Sequence, residues 1–242
     1  MITSTDTAVV LADLVKSYRG FTLGPVTTTI PQGVNALLGA NGAGKTTLMR
    51  LVVGTVRPSA GQVRLPGNDA AVGFLPQDFV GPARATARDY LTYVGWCRST
   101  RERRITSAHV EEALDAVGLQ DRSGSRIGAL SGGMVRRLGI AQALLGSAPV
   151  LVLDEPTVGL DPIQRQEVRE LVKELGRNTT VLISTHLAED VTAVADQVLV
   201  LDEGALRYTG PVGGLCDGRD VTAANLEAGF LRLVRGGEAR ER

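Results

Sequence analysis

The sequence is poor in cysteine, in long apolar runs and in the marks of export. Its two cysteines, Cys97 and Cys216, are far apart in the chain, which excludes the close pairs that hold zinc. We expect both to be buried free thiols in a reducing cytosol. No apolar run approaches the roughly 18 residues that cross a bilayer, and residues 1–10 lack the basic and apolar regions of a secretory signal. These absences predict a soluble intracellular protein.

An excess of charge of either sign is missing as well. Lysine plus arginine and aspartate plus glutamate both number 26, so the formal net charge is zero. Such a chain has no general electrostatic attraction to nucleic acids or anionic lipids, and we expect no nucleic-acid partner. Lysine itself is rare, occurring as Lys16, Lys45 and Lys173, so a lysine within a motif is seldom there by chance.

What the sequence does contain is a series of short apolar runs separated by helical patterns. Four runs have apolar residues on both faces, as strands covered by helices do: 34–40, 150–155, 180–185 and 197–204. Between them, apolar residues recur at three- and four-residue spacing over 134–145 and 168–175, which predicts helices. This alternation predicts an α/β fold with a mainly parallel sheet and helices on both of its faces.

Two regions depart from the alternation. Residues 8–30 are typical of strands and turns, which predicts an antiparallel β part near the N-terminus. Residues 79–130 are rich in arginine, helical in pattern and without a buried strand, which predicts a helical insertion. A chain of 242 residues can form one large α/β domain. We therefore expect a single domain over 1–242, with its core formed by 1–78 and 131–242.

The stretch GANGAGKTT fits the phosphate-binding P-loop pattern and lies between a predicted strand and a predicted helix. Glycines let consecutive backbone N–H groups face phosphate oxygens, and the helix adds its positive end. Lys45 can place a charge on the β- and γ-phosphates, and the Thr46 hydroxyl can reach Mg²⁺. A plain glycine-rich turn is the alternative. We predict that ATP is bound by Gly39, Ala40, Asn41, Gly42, Ala43, Gly44, Lys45, Thr46 and Thr47.

The run VLVLDE brings two carboxylates to the carboxyl end of a predicted strand, where α/β folds bind their ligands. Asp154 can hold Mg²⁺ through its water shell, and Glu155 can polarise the attacking water. A strand that ends in two carboxylates is common, and an ordinary strand end is the alternative. Beside a P-loop, the pair is the expected catalytic partner.

Five motifs, GANGAGKTT, FLPQD, LSGGM, VLVLDEPTVGLDP and ISTH, have the order and approximate spacing of ATP-binding cassette (ABC) transporter ATPases. The resemblance extends from about residue 8 to the end. It implies a P-loop NTPase core and an ATP-hydrolysing subunit that lies at the cytoplasmic face of the membrane and drives a separate multi-span membrane subunit. LSGGMVRRLGIAQALL, EPTVGLDP and LEAGFLRLV further resemble the bacterial drug, lantibiotic and antibiotic-resistance exporter branch.

The resemblance also explains the motif LSGGM, which looks like an anion site but lies far from the P-loop in the sequence. In this family two nucleotide-binding subunits face each other head to tail, and each ATP lies between the P-loop of one and the signature of the other. Ser131, Gly132 and Gly133 would then contact the γ-phosphate bound by Lys45 of a second copy, in a homodimer. The residue types agree, because Ser131 is a good helix N-cap and glycines permit close approach.

The remaining motif residues take their roles from the same resemblance. Gln77 matches the glutamine that senses Mg²⁺ and the attacking water, so that Thr46, Gln77 and Asp154 would hold the metal. His186 matches the histidine that contacts the γ-phosphate, although a lone histidine is more often structural. Asp161 matches the aspartate that communicates across the dimer. Tyr18 matches the aromatic residue that stacks on adenine, with ordinary packing as its alternative.

Two questions stay open in the sequence. A soluble ABC ATPase that serves an assembly process, such as iron–sulfur cluster building, is the alternative to a transporter subunit. Within the insertion, Tyr90, Leu91, Val94, Trp96 and Cys97 could form one apolar face, either of an ordinary helix or of a groove for the membrane subunit.

Overall fold

The computed structural model of the protein describes residues 8–67, 72–101 and 103–238. Residues 1–7 and 239–242 of the predicted domain lie outside this range. The strands are β1 (Val9–Tyr18), β2 (Phe21–Ile30), β3 (Gly33–Leu38), β4 (Ala60–Arg64), β5 (Val72–Leu75), β6 (Val150–Asp154), β7 (Thr180–Thr185), β8 (Gln197–Asp202) and β9 (Ala205–Pro211). The helices are α1 (Lys45–Val53), α2 (Ala87–Arg98), α3 (Ser107–Ala116), α4 (Gly132–Leu144), α5 (Pro162–Gly176), α6 (Ala188–Val194), α7 (Val212–Leu215) and α8 (Ala223–Glu238).

The central sheet has six strands in the order β5-β6-β7-β3-β8-β9. Its first five strands run parallel, and β9 is antiparallel at the edge. Every residue of β6 and β7 is buried, which is why these segments are apolar on both faces. The four predicted strands are therefore confirmed as β3, β6, β7 and β8, and the parallel strands end together at one edge of the sheet.

Alternate residues of the central strands enter two separate cores. Val150 and Val152 of β6 pack in the core that contains α1 and the N-terminal strands. Leu151 and Leu153 pack in the opposite core, which contains α4, α5 and the insertion. The division follows from the strand geometry, since successive side chains point to opposite faces. Helices cover both faces of the sheet, as the sequence predicts.

The N-terminal β part is a three-stranded antiparallel sheet of order β2-β1-β4. Strands β1 and β2 match the predicted region 8–30. Strand β4 lacks an apolar pattern because its residues are mostly exposed, so the sequence did not indicate it. The sheet packs against α1. Phe21, which begins β2, lies against Gly44, so the β1–β2 turn is close to the P-loop.

The segment 79–130 is helical, as the sequence predicts. It holds α2 and α3 and, before α4, two short 3-10 turns. Within the described part of the segment, the one strand-type pairing is a single bridge between Thr86 and Arg126. Leu91 of α2 and Leu114 of α3 are buried in the same core as α4. The segment therefore packs against α4. The bounds of the insertion, 79–130, stay a prediction.

The residues of α2 that could have formed one apolar face are divided between the core and the surface. Leu91 is fully buried, and Tyr90 and Val94 pack beside it, but Trp96 is 74% exposed and Cys97 is exposed too. Residues five and six positions after Leu91 lie on the other side of an α-helix, which explains the split. The expectation of two buried thiols holds for Cys216 alone. Among the described residues, no helix combines the length and apolarity that crossing a membrane requires.

Candidate functional site

The P-loop, residues 39–47, joins β3 to α1. Gly44 is the N-cap of α1 and has a φ of 106°, a left-handed conformation that favours glycine. A Cβ atom on Gly39 would lie 2.4 Å from the carbonyl oxygen of Leu201, so this position admits no side chain. The loop therefore curls tightly against β8, and its residues line a cavity at the N-terminus of α1.

This cavity, of about 550 Å³, lies at the edge where the parallel strands end. Besides P-loop residues, it is lined by Phe21, Gln77, Asp154, Glu155, Val158 and His186. Four predicted site residues from separate parts of the chain thus meet the P-loop in one place. Ala43 does not line the cavity, because its methyl group is buried in the core below.

The Lys45 ammonium group is held within its own loop. It donates hydrogen bonds to the carbonyl oxygens of Gly39, at 2.6 Å, and Ala40, at 3.1 Å. Burial lowers the pKa of Lys45, while the negative charges of Glu155 and Asp154 act in the opposite direction. Phosphate oxygens are stronger acceptors than these neutral carbonyls, so a bound nucleotide can take over the ammonium group.

Asp154 and Glu155 are held by a serine that the sequence analysis did not single out. Ser184 lies opposite Asp154 in the β6–β7 pair. Its hydroxyl donates to Asp154 Oδ1 and accepts a hydrogen bond from the Glu155 N–H at 2.9 Å. All three residues are buried. One hydroxyl thus holds both carboxylate-bearing residues. The motif ISTH contains Ser184 and was the feature of the sequence that could have indicated its role.

Glu155 and His186 form a pair at the mouth of the cavity. The Nδ1 atom of His186 lies 3.0 Å from both carboxylate oxygens of Glu155. The Glu155 side chain is 10% exposed and the His186 side chain 53% exposed, so the carboxylate is sheltered and the imidazole faces solvent. Glu155 also has a φ of 48°, which is uncommon outside glycine and requires support from its surroundings.

A buried carboxylate supports the segments on either side of this pair. Asp190 is 2% exposed and accepts hydrogen bonds from Thr157, Thr185 and Arg169. Thr157 follows Glu155 closely in sequence, and Thr185 directly precedes His186. No motif in the sequence marks Asp190, because its role depends on which segments the fold brings to α6.

The residues of the motif LSGGM, including Ser131, Gly132 and Gly133, do not line this cavity. Ser131 caps α4 by accepting a hydrogen bond from the Met134 N–H at 3.3 Å, which is the N-cap the sequence predicts. Gly132 has no atom within 4 Å of the place where a Cβ would stand. Asp161 caps α5 in the same manner, through the Gln164 N–H at 2.9 Å. Ser131, Gly132 and Asp161 are exposed at these two helix N-termini, whereas Gly133 is buried and a Cβ atom there would lie 2.7 Å from the Gln164 side chain.

Tyr18 does not line the cavity either. It ends β1 and is 44% exposed, and the Lys16 ammonium group lies 5.3 Å from the centre of its ring. Phe21, which is paired with Tyr18 across the β1–β2 turn, does line the cavity. The stacking of Tyr18 on adenine therefore stays a prediction, and Phe21 is an aromatic neighbour of the site that the sequence analysis missed.

The cavity offers the type of ligands that Mg²⁺ prefers. Thr46, Gln77 and Asp154 contribute a hydroxyl, an amide and a carboxylate, and all three line it. Within the part of the chain that the structure describes, no cluster of three or more His, Cys, Asp or Glu side chains could hold a metal by itself. These residues therefore suit an ion that takes its other oxygens from phosphates and water.

Comparison with known proteins gives consistent matches. The model of the ABC transporter family matches residues 23–158. YxlF of Bacillus subtilis (strain 168), an uncharacterized ABC transporter ATP-binding protein, is 40% identical over 72% of this chain and 60% of its own length. The bacitracin transport ATP-binding protein BcrA of Bacillus licheniformis is 34% identical, over 83% of this chain and 68% of its own. A solved ABC transporter in an inward-facing conformation has a TM-score of 0.78 at 27% identity, covering 92% of this chain and 88% of that one.

The family assignment rests on more than half of the sequence. The matched residues 23–158 include the P-loop, the signature and both carboxylates of β6. The chain spans less than two thirds of the length of YxlF. Taken with the geometry of the cavity, these matches show that the chain belongs to the family of ABC transporter ATP-binding proteins.

Proposed function

We propose that the protein is the ATP-hydrolysing subunit of an ABC exporter, in which two copies enclose two ATP molecules and drive a separate membrane subunit. One observation carries the proposal: a single cavity joins the P-loop to Gln77, Asp154, Glu155 and His186. Transport is favoured over an assembly process because the named relative BcrA is a transport ATP-binding protein. The direction of transport rests on the resemblance of LSGGMVRRLGIAQALL, EPTVGLDP and LEAGFLRLV to the exporter branch.

In this proposal the P-loop binds the phosphates of ATP. Lys45 exchanges its two carbonyl partners for β- and γ-phosphate oxygens, and the N-terminus of α1 adds its positive end. Mg²⁺, held by Thr46, Gln77 and Asp154, would offset the negative charge of the phosphates. Ser184 keeps the Asp154 carboxylate in place for this task.

Hydrolysis then depends on Glu155. Its carboxylate is sheltered and lies in the cavity beside His186, which suits a group that orients and polarises the attacking water. In the described state the carboxylate is paired with His186 Nδ1. When ATP is bound, His186 would turn to the γ-phosphate, and Glu155 would be free to accept a hydrogen bond from the water.

The position of the signature supports a two-copy arrangement. Ser131 and Gly132 lie outside the cavity of their own subunit, at an open helix N-terminus. Such an end can bind a phosphate that another molecule brings to it. A second copy in head-to-tail orientation would supply the γ-phosphate, and Asp161, at the start of α5, would lie near the same interface.

We further propose that the membrane subunit docks on the insertion. A cavity of about 960 Å³ lies between α2 and α3, and Trp96, Arg101 and Arg104 line it. Tyr93 and Trp96 are 64% and 74% exposed and lie beside each other, with ring centres 6.3 Å apart, and adjoining exposed aromatic residues are typical of a protein-interaction surface. The aromatic and basic surface would hold the protein at the cytoplasmic face of the membrane.

The test of the proposed function is hydrolysis of Mg·ATP by the purified chain, compared with two lysine variants. Lys45→Ala should abolish turnover and weaken ATP binding by about 1.5–3 kcal/mol, the usual contribution of a hydrogen bond to a charged group. Lys173→Ala is the control, because Lys173 is exposed in the last turn of α5. Turnover by Lys45→Ala equal to that of Lys173→Ala would count against the proposal.

A further inference from the structure

Arg136 is a buried cation in α4 whose hydrogen-bonding capacity is fully used. It is 8% exposed. Its Nε donates at 3.1 Å, its Nη1 donates twice, at 2.8 and 3.1 Å, and its Nη2 donates twice, once at 2.6 Å. A guanidinium group has five N–H donors, so none is left over. The acceptors are the backbone carbonyl oxygens of Pro76, Gln77, Asp154, Glu155 and Pro156.

These five carbonyls belong to the two loops that carry the chemistry of the site. One loop follows β5 and contains Gln77, and the other begins where β6 ends, at Asp154, and contains Glu155. Strands β5 and β6 are neighbours in the sheet and end side by side. The guanidinium group lies between the two loops and fixes the Gln77 backbone relative to the Glu155 backbone.

Burial of this cation is costly, which indicates that its position matters. Burial lowers the pKa of Arg136, and the nearby carboxylates of Asp154, Glu155 and Asp78 oppose that effect. The charge is matched by carbonyl dipoles, and hydrogen bonds from a charged donor are about twice as strong as neutral ones. Lysine has three N–H donors and cannot make all five bonds.

Helix α4 is packed closely enough to transmit a displacement. A Cβ atom on Gly73 of β5 would lie 2.1 Å from the Ala143 carbonyl oxygen of α4. A Cβ atom on Gly139 of α4 would lie 2.5 Å from the Leu75 side chain. At Gly73 the backbones of the strand and the helix therefore touch with no side chain between them, and at Gly139 the Leu75 side chain lies directly against the backbone of α4. Ser131 caps the N-terminus of the same helix, five residues before Arg136.

We propose that Arg136 is a positioning residue that couples the signature, Ser131 to Gly133, to Gln77 and Glu155 of the same subunit. The proposal rests on the proposed function, because the signature is taken to bind the ATP of a second copy. Contact with that ATP shifts the first turn of α4, and Arg136 carries the shift to the two loops. Each subunit thereby places its own Glu155 and Gln77 for hydrolysis once its signature is engaged.

The test compares Arg136→Lys with the control Arg98→Lys in the full chain. Arg98 is a partly buried arginine of α2 that also donates to a carbonyl of α4, that of Gln142 at 2.7 Å, but away from the site. ATP affinity, kcat and the Hill coefficient of hydrolysis are measured for both. For Arg136→Lys we expect kcat to fall by about 10- to 100-fold, as for a small misplacement of catalytic groups. ATP affinity should stay within about twofold of the wild type, because the P-loop contacts are kept.

The Hill coefficient separates coupling from a merely structural role. Coupling predicts cooperative hydrolysis by the wild type and by Arg98→Lys, and a Hill coefficient near 1 for Arg136→Lys. Unchanged cooperativity in Arg136→Lys would overturn the coupling and leave the proposed function intact. A wild-type chain that hydrolyses no ATP would overturn both proposals.

A second measurement leaves Arg136 unchanged and tests the coupling even if Arg136→Lys does not fold. Hydrogen exchange at the backbone amides of Gln77, Asp78, Asp154 and Glu155 is followed with and without ATP, in the wild type and in Ser131→Arg. A blocked signature should reduce the protection that ATP confers on these amides, because the first turn of α4 is then not displaced and Arg136 does not move the two loops. Equal protection in the two proteins would refute the coupling.

Discussion

Ser184 provides a quantitative test of how the two carboxylate-bearing residues are held. Its hydroxyl makes two buried hydrogen bonds, one to Asp154 Oδ1 and one from the Glu155 N–H. Ser184→Ala leaves both groups without this partner, and an unsatisfied buried group costs about 1–3 kcal/mol. We expect the free energy of unfolding to fall by about 2–4 kcal/mol, allowing for partial relaxation. The same change should lower kcat, because Asp154 and Glu155 lose a common support.

The assay is urea unfolding without nucleotide, followed by circular dichroism. Ser59→Ala is the matched control, because Ser59 is exposed and its hydroxyl also accepts a backbone hydrogen bond, from the Ser17 N–H at 3.1 Å. Its loss should cost no more than about 0.5 kcal/mol, as for most surface changes. Equal stabilities of Ser184→Ala and Ser59→Ala would refute the reasoning, since burial would then make no difference.

Two further changes test the ends of the nucleotide site. Tyr18→Ala should raise the ATP concentration needed for hydrolysis, because a lost stacking contact costs about 1–3 kcal/mol, and Tyr18→Trp should be tolerated. A larger effect of Phe21→Ala in the same ATP titration would assign the adenine contact to Phe21 instead. Gly132→Ala meets open space in the folded chain, so thermal unfolding should show no loss of stability while kcat falls at least about tenfold as the added methyl group crowds the phosphate. Gly124→Ala, also in open space, is its control, and equal kcat values would contradict the role of Gly132.

The parts of the fold that the sequence predicts are those where burial is complete. Strands β6 and β7 are buried along their whole length, so their apolar residues leave a clear pattern. Strand β4 is mostly exposed and β9 is a partly exposed edge strand, so neither shows that pattern. Helix α2 shows a different limit: its apolar residues are divided between the core and the surface, which composition alone does not reveal.

The site divides in the same way. Lys45, Asp154 and Glu155 could be predicted because a loop, a strand end and a residue type together indicate phosphate chemistry. Arg136 and Ser184 could not, because their roles depend on partners far away in the sequence. Arg136 meets carbonyls up to 60 positions away, and Ser184 meets Asp154 30 positions away. Such roles emerge only when the strands are placed side by side.

In the proposed arrangement two copies of the protein enclose ATP between the P-loop of one and the signature of the other. The most direct measurement of this arrangement is the mass of Glu155→Gln by size-exclusion chromatography with light scattering, with and without Mg·ATP, alone and with Ser131→Arg added. Glu155→Gln keeps the size of the side chain but removes the carboxylate that polarises water, so ATP should stay bound and unhydrolysed. The two-copy arrangement predicts a dimer with two trapped ATP molecules for Glu155→Gln, and a monomer when Ser131→Arg is added. A dimer that persists in the double variant would contradict it, as would an ATP-loaded Glu155→Gln protein that stays monomeric.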